Sequence, residues 1–418
     1  MRGMKDSGCN YLGMIPSSWS TSRLKGYFKV SRTTGRPDAT VLSLYRDYGI
    51  VPKDSRSDNH NVTSLDTSKY KFVEVGDFVI NKMKGWQGSM ALSADEGIVS
   101  PAYHVFKFTS SLLLPKYAHY LLRCRSYADE WHKLSTGLRV GQWDLHVEDF
   151  LNTRIPVPPL DEQRRIADYL DEKCAEIDRA VSAAEQSIEE YKEYKNSVVY
   201  RAITKGLDVD VPMKDSGIEW LREVPVGWKI TPIKHLFYIS KTIAGRTGFD
   251  VLSITQQGLK VKDIKSGEGQ LASDYSHYQI VEPGDFAMNH MDLLTGWIDL
   301  SDKTGVTSPD YRVFKTRTDD VDKHYYLRVF QHYYSARVFY GFCKGISSKG
   351  RWRLPADAFR SIQVPLPPLS EQRRIANYLD EKCAQIDHAV AAKQVVITEL
   401  KSYKQSLIYE TVTGKREV

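Results

Sequence analysis

The sequence has little cysteine, no long apolar run and no complete motif for binding a cofactor. Its five cysteines lie far apart among 418 residues and form no CxxC or other metal-ligand spacing, which favours reduced thiols in a cytoplasmic protein. No stretch approaches the ~18 consecutive apolar residues of a membrane-spanning helix. The first residues lead into no apolar core, so we expect neither a membrane anchor nor a secretory signal.

The glycine-rich and histidine-containing segments match no motif that carries chemistry. Residues 267–269 form only a G-x-G, and residues 345–352 have the glycine spacing of a P-loop without its Lys and Ser/Thr. There is no HExxH zinc motif and no GxSxG nucleophile motif. These absences favour a binding protein. A catalytic carboxylate pair assembled from distant residues stays open as an alternative.

The composition is typical of an ordinary globular protein with a small excess of positive charge. Apolar residues make up 41%, charged residues 26% and aromatic residues 11%, which disfavours the disordered, collagen-like and membrane classes. The 58 Lys and Arg residues exceed the 52 Asp and Glu residues by six. This net charge of +6 is compatible with a polyanionic partner, but many proteins without one carry the same excess.

An internal repeat organises the whole chain. Residues 156–178 and 365–387 differ at only four of 23 positions and are offset by 209 residues. Further matches keep the same order along the chain: 5–19 with 214–228, 41–51 with 251–261, 73–83 with 280–291, 97–107 with 305–315, and 141–150 with 350–359. The protein is therefore two copies of one unit of about 209 residues, a repeat that fixes the architecture before any element is assigned.

Each copy has a globular part followed by a long helix. Short β-branched and aromatic runs between turn residues predict strands, and residues 115–134 and 322–340 predict one helix in each globule. After the Pro-Pro-Leu of each repeat, apolar residues recur at alternating steps near three and four, the pattern of a coiled-coil seam. Asp161 and Ser370 are predicted N-caps, and Gly206 is predicted to end the first helix near Lys205.

We therefore predict two tandem α+β globules and two long helices that pair as an antiparallel coiled coil. The predicted segments are a first globule over 1–155, a central helix over 156–206, a linker over 207–213, a second globule over 214–364 and a C-terminal helix over 365–418. Cys174 and Cys383 occupy the same position of this seam, which favours apolar packing over redox chemistry.

The sequence closely resembles the specificity (S) subunits of type I restriction-modification systems. The resemblance rests on PVPPLDEQRRIADYLDEKCAEID and PLPPLSEQRRIANYLDEKCAQID at the heads of the helices, and on SPAYHVFK and SPDYRVFK inside the globules. It spans essentially the whole chain. It implies that each globule is a target recognition domain for one half of a bipartite DNA site, and that the coiled coil sets the spacing between the halves.

The same resemblance implies a multi-subunit complex. Two methyltransferase subunits would bind the chain, and restriction (motor-nuclease) subunits would join them. S-adenosylmethionine, ATP and Mg²⁺ would belong to those partners and not to this chain. Two other functions stay open from the residues alone: an enzyme with a cryptic active site, and a coiled-coil adaptor whose globules bind protein and not DNA.

Comparison of the two copies nominates the DNA-binding residues. Positions that differ inside shared loops are the candidates for DNA contact: Tyr45, Arg46, Lys82, Lys84, Gln87, Arg139 and Gln142 in the first globule, and Thr255, Gln256, Gln257, His290, Lys349 and Arg351 in the second. Arginine and glutamine can bond bidentately to guanine and adenine edges respectively. For the tyrosine, packing is the alternative role, and for the lysines and arginines it is solvated surface.

Residues shared by both copies are interpreted as scaffold or as docking sites. Ser100, Tyr103, Ser308 and Tyr311 belong to a shared motif, which favours scaffold or phosphate docking over base reading. The helix starts carry an identical run, for which we predict docking of one partner subunit at each copy: Glu162, Gln163, Arg164, Arg165, Glu371, Gln372, Arg373 and Arg374. A solvated helix start without a partner is the alternative.

Overall fold

The duplicated sequence folds into two units with the same order of elements. The computed structural model describes residues 2–46, 48–56, 63–64, 66–139, 142–264, 272–294, 296–343 and 352–418. Unit 1 comprises the residues up to 185 together with 394–418, and unit 2 comprises 186–393. Each unit therefore combines one globule with a stretch of both long helices.

Unit 1 is built from short antiparallel strands beside two amphipathic helices. Its strands are β1 Met4–Asp6, β2 Met14–Pro16, β3 Ser20–Arg23, β4 Phe28–Ser31, β5 Leu42–Tyr45, β6 Gly49–Pro52, β7 Lys71–Val73, β8 Phe78–Asn81, β9 Met90–Leu92, β10 Gly97–Val99, β11 Tyr103–Phe108, β12 Thr136–Arg139, β13 Gln142–Asp144 and β14 Arg154–Val157. Its helices are α1 Pro115–Arg123, α2 Arg125–Leu134, α3 Val147–Asn152 and the first part of α4 Leu160–Lys205. The largest sheet has the order β4-β11-β8-β9.

Unit 2 repeats this plan. Its strands are β15 Met213–Asp215, β16 Glu223–Pro225, β17 Lys229–Pro232, β18 Phe237–Ser240, β19 Leu252–Thr255, β20 Gly258–Val261, β21 Gln279–Val281, β22 Phe286–Met288, β23 Ile298–Leu300, β24 Gly305–Thr307, β25 Arg312–Thr316 and β26 Gln363–Leu366. Its helices are α5 Ile233–Leu236, α6 Lys323–Ser335, α7 Ala356–Ser361 and the first part of α8 Leu369–Val412. The sheet order β18-β25-β22-β23 matches that of unit 1 strand for strand.

A shared glycine permits the same close backbone approach in both cores. In unit 1 a parallel bridge joins Val41 to Ile98, and a Cβ added to Gly97 would lie only 2.3 Å from the Thr40 carbonyl oxygen. At the equivalent Gly305, a Cβ would lie 2.8 Å from the Asp250 carbonyl oxygen. Because no real Cβ tolerates 2.3 Å from backbone, the first of these approaches requires glycine.

The long helices pack on each other in antiparallel directions within each unit. In unit 1, Lys404 Nζ lies 2.6 Å from Asp178 Oδ2, and Lys401 Nζ lies 3.0 Å from Glu185 Oε1. Higher residue numbers on α8 therefore pair with lower numbers on α4, as in an antiparallel pair. In unit 2, Lys195 Nζ lies 2.7 Å from Asp387 Oδ2. The predicted antiparallel coiled coil is confirmed.

The predicted seam is the buried stripe of both helices. The buried members are Ile166, Leu170, Cys174, Ile177, Val181 and Ile188 of α4, and Ile375, Leu379, Cys383, Ile386, Ile397 and Leu407 of α8. Burial raises the pKa of the Cys174 thiol to about 11, and it also raises that of Cys383. Such thiols stay protonated and unreactive at neutral pH, in agreement with their interpretation as packing residues.

Several predicted helix boundaries were wrong. The single helix predicted over 115–134 is two helices, because the backbone of Cys124 is extended (φ −71°, ψ 153°). The helix predicted to reach residue 340 ends at Ser335, and Arg337 takes the left-handed conformation (φ 59°) that stops helices. Asp161 is not the N-cap but lies in the first turn of α4, and Ser370 lies in the first turn of α8.

Candidate nucleic-acid interface

The turn between β5 and β6 carries Arg46 at the surface of unit 1, whereas the neighbouring Tyr45 is half-buried and its hydroxyl is buried. Arg46 is exposed, and its carbonyl accepts a hydrogen bond from the Arg123 guanidinium at the end of α1. The Arg56 guanidinium lies 3.9 Å from the ring centre of Tyr48 and 5.3 Å from that of Tyr45. The Arg56 guanidinium thus lies within cation–π distance of both tyrosine rings, and Tyr48 is 60% exposed.

The loop after β8 carries Lys82, Lys84 and Gln87 and contains a short 3₁₀ helix, Gly85–Gln87. Lys84 is exposed, whereas Lys82 is half-buried with its Nζ 3.4 Å from Asp144 Oδ2. Gln87 is half-buried, and its backbone N–H donates to the Lys84 carbonyl at 3.0 Å. The Asp144 pairing directs Lys82 toward the protein and leaves Lys84 as the freely exposed cation of this loop.

An aromatic cluster joins that loop to the β12–β13 hairpin. The Trp86 ring centre lies 5.0 Å from that of Trp143 and 5.2 Å from that of His132 on α2. Arg139 and Gln142 are paired in the hairpin ladder, and their side chains lie outside the described residues. The turn at Arg46, this loop and this hairpin all contact the α1–α2 pair, so three predicted contact segments share one flank of unit 1.

The first shared motif is a tight turn leading into β11. The Ser100 hydroxyl accepts from the Ala102 N–H at 3.3 Å, and the Ser100 carbonyl accepts from the Tyr103 N–H at 2.9 Å. The Lys71 ammonium donates to the Tyr103 carbonyl. These bonds fix the direction of the strand that follows, which is a scaffold role.

Unit 2 builds the same turn with a different donor. The Ser308 hydroxyl accepts from the Asp310 N–H at 3.2 Å, and the Ser308 carbonyl accepts from the Tyr311 N–H at 3.0 Å. The buried Gln279 takes the place of Lys71, and its amide donates to the carbonyls of Ser308 and Tyr311, both at 2.7 Å. The bonds around Ser308 and Tyr311 are therefore also those of a scaffold.

The β19–β20 hairpin of unit 2 presents two exposed glutamines, Gln256 and Gln257. The Thr255 hydroxyl donates to the Gly258 carbonyl at 2.9 Å and accepts from the Gln257 N–H at 3.2 Å, so it closes the turn. Gly258 has φ 99°, and a Cβ there would lie 2.5 Å from Asp299 Oδ2. Thr255 is therefore a turn-forming residue. Among the described residues, the side-chain amides of Gln256 and Gln257 form no hydrogen bond with the backbone.

Sequence comparison misplaced one candidate of unit 2. His290 is only 7% exposed, and burial, with nearby Arg312 and Arg353, lowers its pKa to about 3. A neutral, buried imidazole is a core residue and does not present itself to a DNA base. Lys349 and Arg351 lie outside the described residues.

The acidic residue at each helix start binds a tryptophan of its own globule. Trp19 Nε1 donates to Glu162 Oε2 at 2.8 Å, and Trp228 Nε1 donates to Glu371 Oε2 at 2.9 Å. Arg2 also pairs with Glu162. These internal contacts account for the identity of the two glutamates without a partner subunit.

The neighbouring glutamine is a buried clamp between helix and globule. Gln163 is fully buried; its Oε1 accepts from the Leu114 N–H at 2.8 Å, and its Nε2 donates to the Leu112 and Pro158 carbonyls at 2.9 Å. Gln372 makes the same three bonds, to the backbone of Asp322, Asp320 and Pro367. The predicted docking role does not fit these two side chains, because neither reaches the surface.

The arginines that follow are the surface residues of the run. Arg164, Arg165, Arg373 and Arg374 are all exposed. Arg374 pairs with Asp208 in the linker, where its Nη2 lies 2.9 Å from the carboxylate Oδ1. Exposed pairs of this kind contribute little to stability because water screens them, so these side chains can be redirected toward a partner.

A cavity of about 540 Å³ opens beside β11 in unit 1. It is lined by Lys82, His104, Asp144, Leu145, His146, Val147, Glu148 and Asp149. Burial and the charges of Lys71 and Lys82 lower the pKa of His104 to about 4, so its imidazole is neutral at pH 7. Across residues 2–46, 48–56, 63–64, 66–139, 142–264, 272–294, 296–343 and 352–418, no group of three or more potential metal ligands is found.

The described part of the chain contains no helix with the length and hydropathy needed to cross a membrane.

The sequence matches a known family twice, over residues 16–189 and 226–396, and the description of that family is the type I restriction modification DNA specificity domain. These two matches cover most of the chain, one for each copy of the repeat. The chain belongs to this family.

Relatives in the specificity-subunit family match nearly end to end. The MjaVIII specificity subunit of Methanocaldococcus jannaschii is 23% identical over 432 residues, which cover 97% of this chain and 94% of the relative. The StySPI specificity subunit of Salmonella potsdam is 22% identical over 436 residues, covering 96% and 90%.

Two solved structures of type I systems share the fold. A chain from the structural study of complex assembly and conformational transition of the type I R-M system aligns with a TM-score of 0.69 at 15% identity, covering 95% of this chain and 98% of that one. The HsdS subunit from Thermoanaerobacter tengcongensis aligns with a TM-score of 0.51 at 17% identity, covering 96% and 98%. At these identities the likeness concerns the fold.

The sequence did not predict several residues that hold the candidate DNA-contact loops in place. His132 completes the aromatic cluster, and Arg123 anchors the Arg46 turn, yet neither lies in a loop that differs between the copies. In unit 2, Arg312 is buried and Arg353 is exposed beside it. The duplicate alignment contains a signal for this last pair, because His104 and Asp144 occupy the equivalent positions.

The glutamine clamp gives a test of how each specificity domain is held on its helix. We expect Gln163→Leu to lower the free energy of unfolding by about 2–4 kcal/mol, because it leaves a buried N–H and two buried carbonyls without partners. The matched control is Gln186→Leu on the same helix, where the exposed amide bonds only Glu190, and the change should stay within about 0.5 kcal/mol. Urea unfolding followed by circular dichroism measures both. Equal effects of the two substitutions would contradict the clamp.

Proposed function

We propose that the chain is the DNA-specificity subunit of a type I restriction-modification complex, and that each globule reads one half of an asymmetric bipartite DNA site. The observation that carries the proposal is a duplicated scaffold whose equivalent hairpin turns carry different side chains. The sheets, the shared turns and the clamps repeat from unit 1 to unit 2. The hairpin between β5 and β6 ends in Tyr45-Arg46, whereas that between β19 and β20 ends in Gln256-Gln257.

The chemistry of those tips supports two different half-sites. An arginine bonds bidentately to the O6 and N7 atoms of guanine, and a glutamine bonds to the N6 and N7 atoms of adenine. Arg46, Gln256 and Gln257 are all exposed at turns whose backbones are held by other residues. Two identical readers related by two-fold symmetry would select a palindrome, so unlike tips select an asymmetric target.

The phosphate-contacting part of the interface would use exposed cations beside these tips. In unit 1, Lys84 lies in the loop that contacts the same α1–α2 pair as the Arg46 turn. Phosphate contacts fix the register of a protein on a duplex, whereas base contacts specify the sequence. Lys84 is thus assigned to docking and Arg46 to base reading.

The coiled coil would set the distance between the half-sites and dock the partner subunits. Its buried stripe and antiparallel ion pairs support a stiff spacer. The exposed arginines that follow each clamp support one equivalent docking site per copy for a methyltransferase subunit. Restriction subunits would join through that assembly.

Methyl transfer and cleavage would be carried out by the partners in the cytoplasm. S-adenosylmethionine, ATP and Mg²⁺ are accordingly assigned to the methyltransferase and restriction subunits.

Exchange of one globule tests the two-half-site proposal. Residues 1–155 are replaced by the corresponding segment of another specificity subunit, and the complex with methyltransferase subunits selects duplexes from a random library. We expect sequencing of the bound duplexes to show one new and one unchanged half-site. Replacement of residues 214–364 is the reciprocal control and should change the other half only. Loss or change of both halves after either exchange would overturn modular reading.

Charge reversal tests the docking role of the arginines. We expect Arg164→Glu with Arg165→Glu to reduce the bound methyltransferase subunits from two to one, and reversal of Arg373 and Arg374 as well to remove both. Native mass spectrometry measures the stoichiometry. Lys192→Glu, an exposed change elsewhere on α4, is the control and should leave both subunits bound. Full assembly with all four arginines reversed would contradict the proposal.

A further inference from the structure

The segments that line the cavity beside β11 in unit 1 have equivalents in unit 2 with the opposite charge balance. The same backbone contact joins these segments in both units: the Leu145 N–H donates to the Lys82 carbonyl at 3.1 Å, and the Leu354 N–H donates to the His290 carbonyl at 3.0 Å. Five polar or charged positions of the lining differ between the units: Lys82 with His290, His104 with Arg312, Asp144 with Arg353, His146 with Pro355, and Asp149 with Ala358.

In unit 1 the carboxylates of this site outnumber its cations. The Lys82 ammonium lies 3.4 Å from Asp144 Oδ2, and His104 is neutral. Glu148 and Asp149 add two further carboxylates to the lining. The unit 1 site therefore needs no external anion.

In unit 2 a cation replaces both the carboxylate and the neutral imidazole: Arg353 stands in place of Asp144, and Arg312 in place of His104. Arg312 is only 4% exposed, and its Nη2 donates to the Leu354 carbonyl at 2.9 Å. Its guanidinium carbon lies 4.8 Å from the ring centre of Phe359, within the range of a cation–π contact. Among the described residues, its Nη1 has no hydrogen-bond acceptor.

Within the part of the chain that the structure describes, no carboxylate pairs with Arg312. Arg353 is exposed, and the carboxylate of Asp357 is already bound by Arg360. Burial, together with the charges of Arg353 and Arg360, lowers the pKa of Arg312 to about 10 even though Tyr334 opposes the shift, so the guanidinium is still charged at pH 7. Burial of a cation without a counter-ion is destabilising, and a bound anion would relieve that cost.

We infer that Arg353, supported from behind by Arg312, forms a binding site in unit 2 for a DNA backbone phosphate, with no counterpart in unit 1. This inference rests on the proposed function, which supplies the polyanion. Arg353 is exposed and makes the contact. Arg312 is a positioning residue, because its Nη2 is bonded to the carbonyl of the residue that follows Arg353 and its charge adds to the local field.

A phosphate fits this site better than a base edge does. The distinguishing property of the site is an excess of positive charge, and phosphate supplies a full negative charge whereas a guanine edge supplies only partial ones. Phosphate contacts also form on any sequence, so removal of the site should weaken target and non-target duplexes equally. The two units would then each read a half-site but would differ in this one phosphate contact.

The decisive variant is Arg353→Asp, which gives unit 2 the carboxylate that unit 1 has. We expect the complex with methyltransferase subunits to bind target and non-target duplexes about tenfold more weakly at ~0.1 M salt. The slope of log K against log salt should become shallower by about 1. Urea unfolding should show unchanged or increased stability, because Arg312 gains a counter-ion, which separates lost binding from misfolding.

Two further variants sharpen the test. Arg353→Gln removes the charge without adding a carboxylate and should give a loss of the same direction for both duplexes. Lys229→Asp changes the net charge equally at an exposed site on β17 and should leave the slope unchanged. An unchanged slope in Arg353→Asp would overturn the phosphate site alone, as would a loss confined to the target duplex. A wild-type complex without sequence-selective binding would overturn the proposed function and the site with it.

Discussion

The buried amide at the start of each long helix is the interaction on which the remaining geometry depends. Gln163 and Gln372 each bond three backbone groups, two from the globule's own loop and one from the Pro-Pro segment before the helix. A side chain with all its partners inside the protein holds a globule to its helix in one orientation, because any other orientation leaves buried polar groups unpaired. Because the candidate DNA-contact loops belong to the globule, the clamp also fixes their position relative to the helix.

Duplication then separates what is common from what is specific. Both units keep the clamp, the tryptophan–glutamate bond, the glycine of the close approach and the Ser-Pro turn, although Lys71 serves in one turn and Gln279 in the other. The hairpin tips and the charges around the cavity beside β11 vary. A scaffold that tolerates such changes can acquire a new specificity without a new fold.

The sequence predicts the long helices well because the seam and its end signals are local. The spacing of the apolar residues sets the buried stripe, and Gly206 with φ 77° ends α4 next to Lys205. The extended backbone of Cys124 and the burial of His290 depend on packing across distant strands, which no local pattern contains. The identity of Glu162 and Gln163 with Glu371 and Gln372 indicates a shared role, but identity alone cannot distinguish an internal clamp from a docking surface.

The central claim is that two unlike globules on one coiled coil read two unlike half-sites. The most direct test maps methylated adenines across the genome of cells that contain the methyltransferase partner, with and without this chain. The account predicts one motif that appears only with the chain: two different half-sites separated by an unread spacer of constant length. A palindromic or uninterrupted motif, or methylation that persists without the chain, would contradict it.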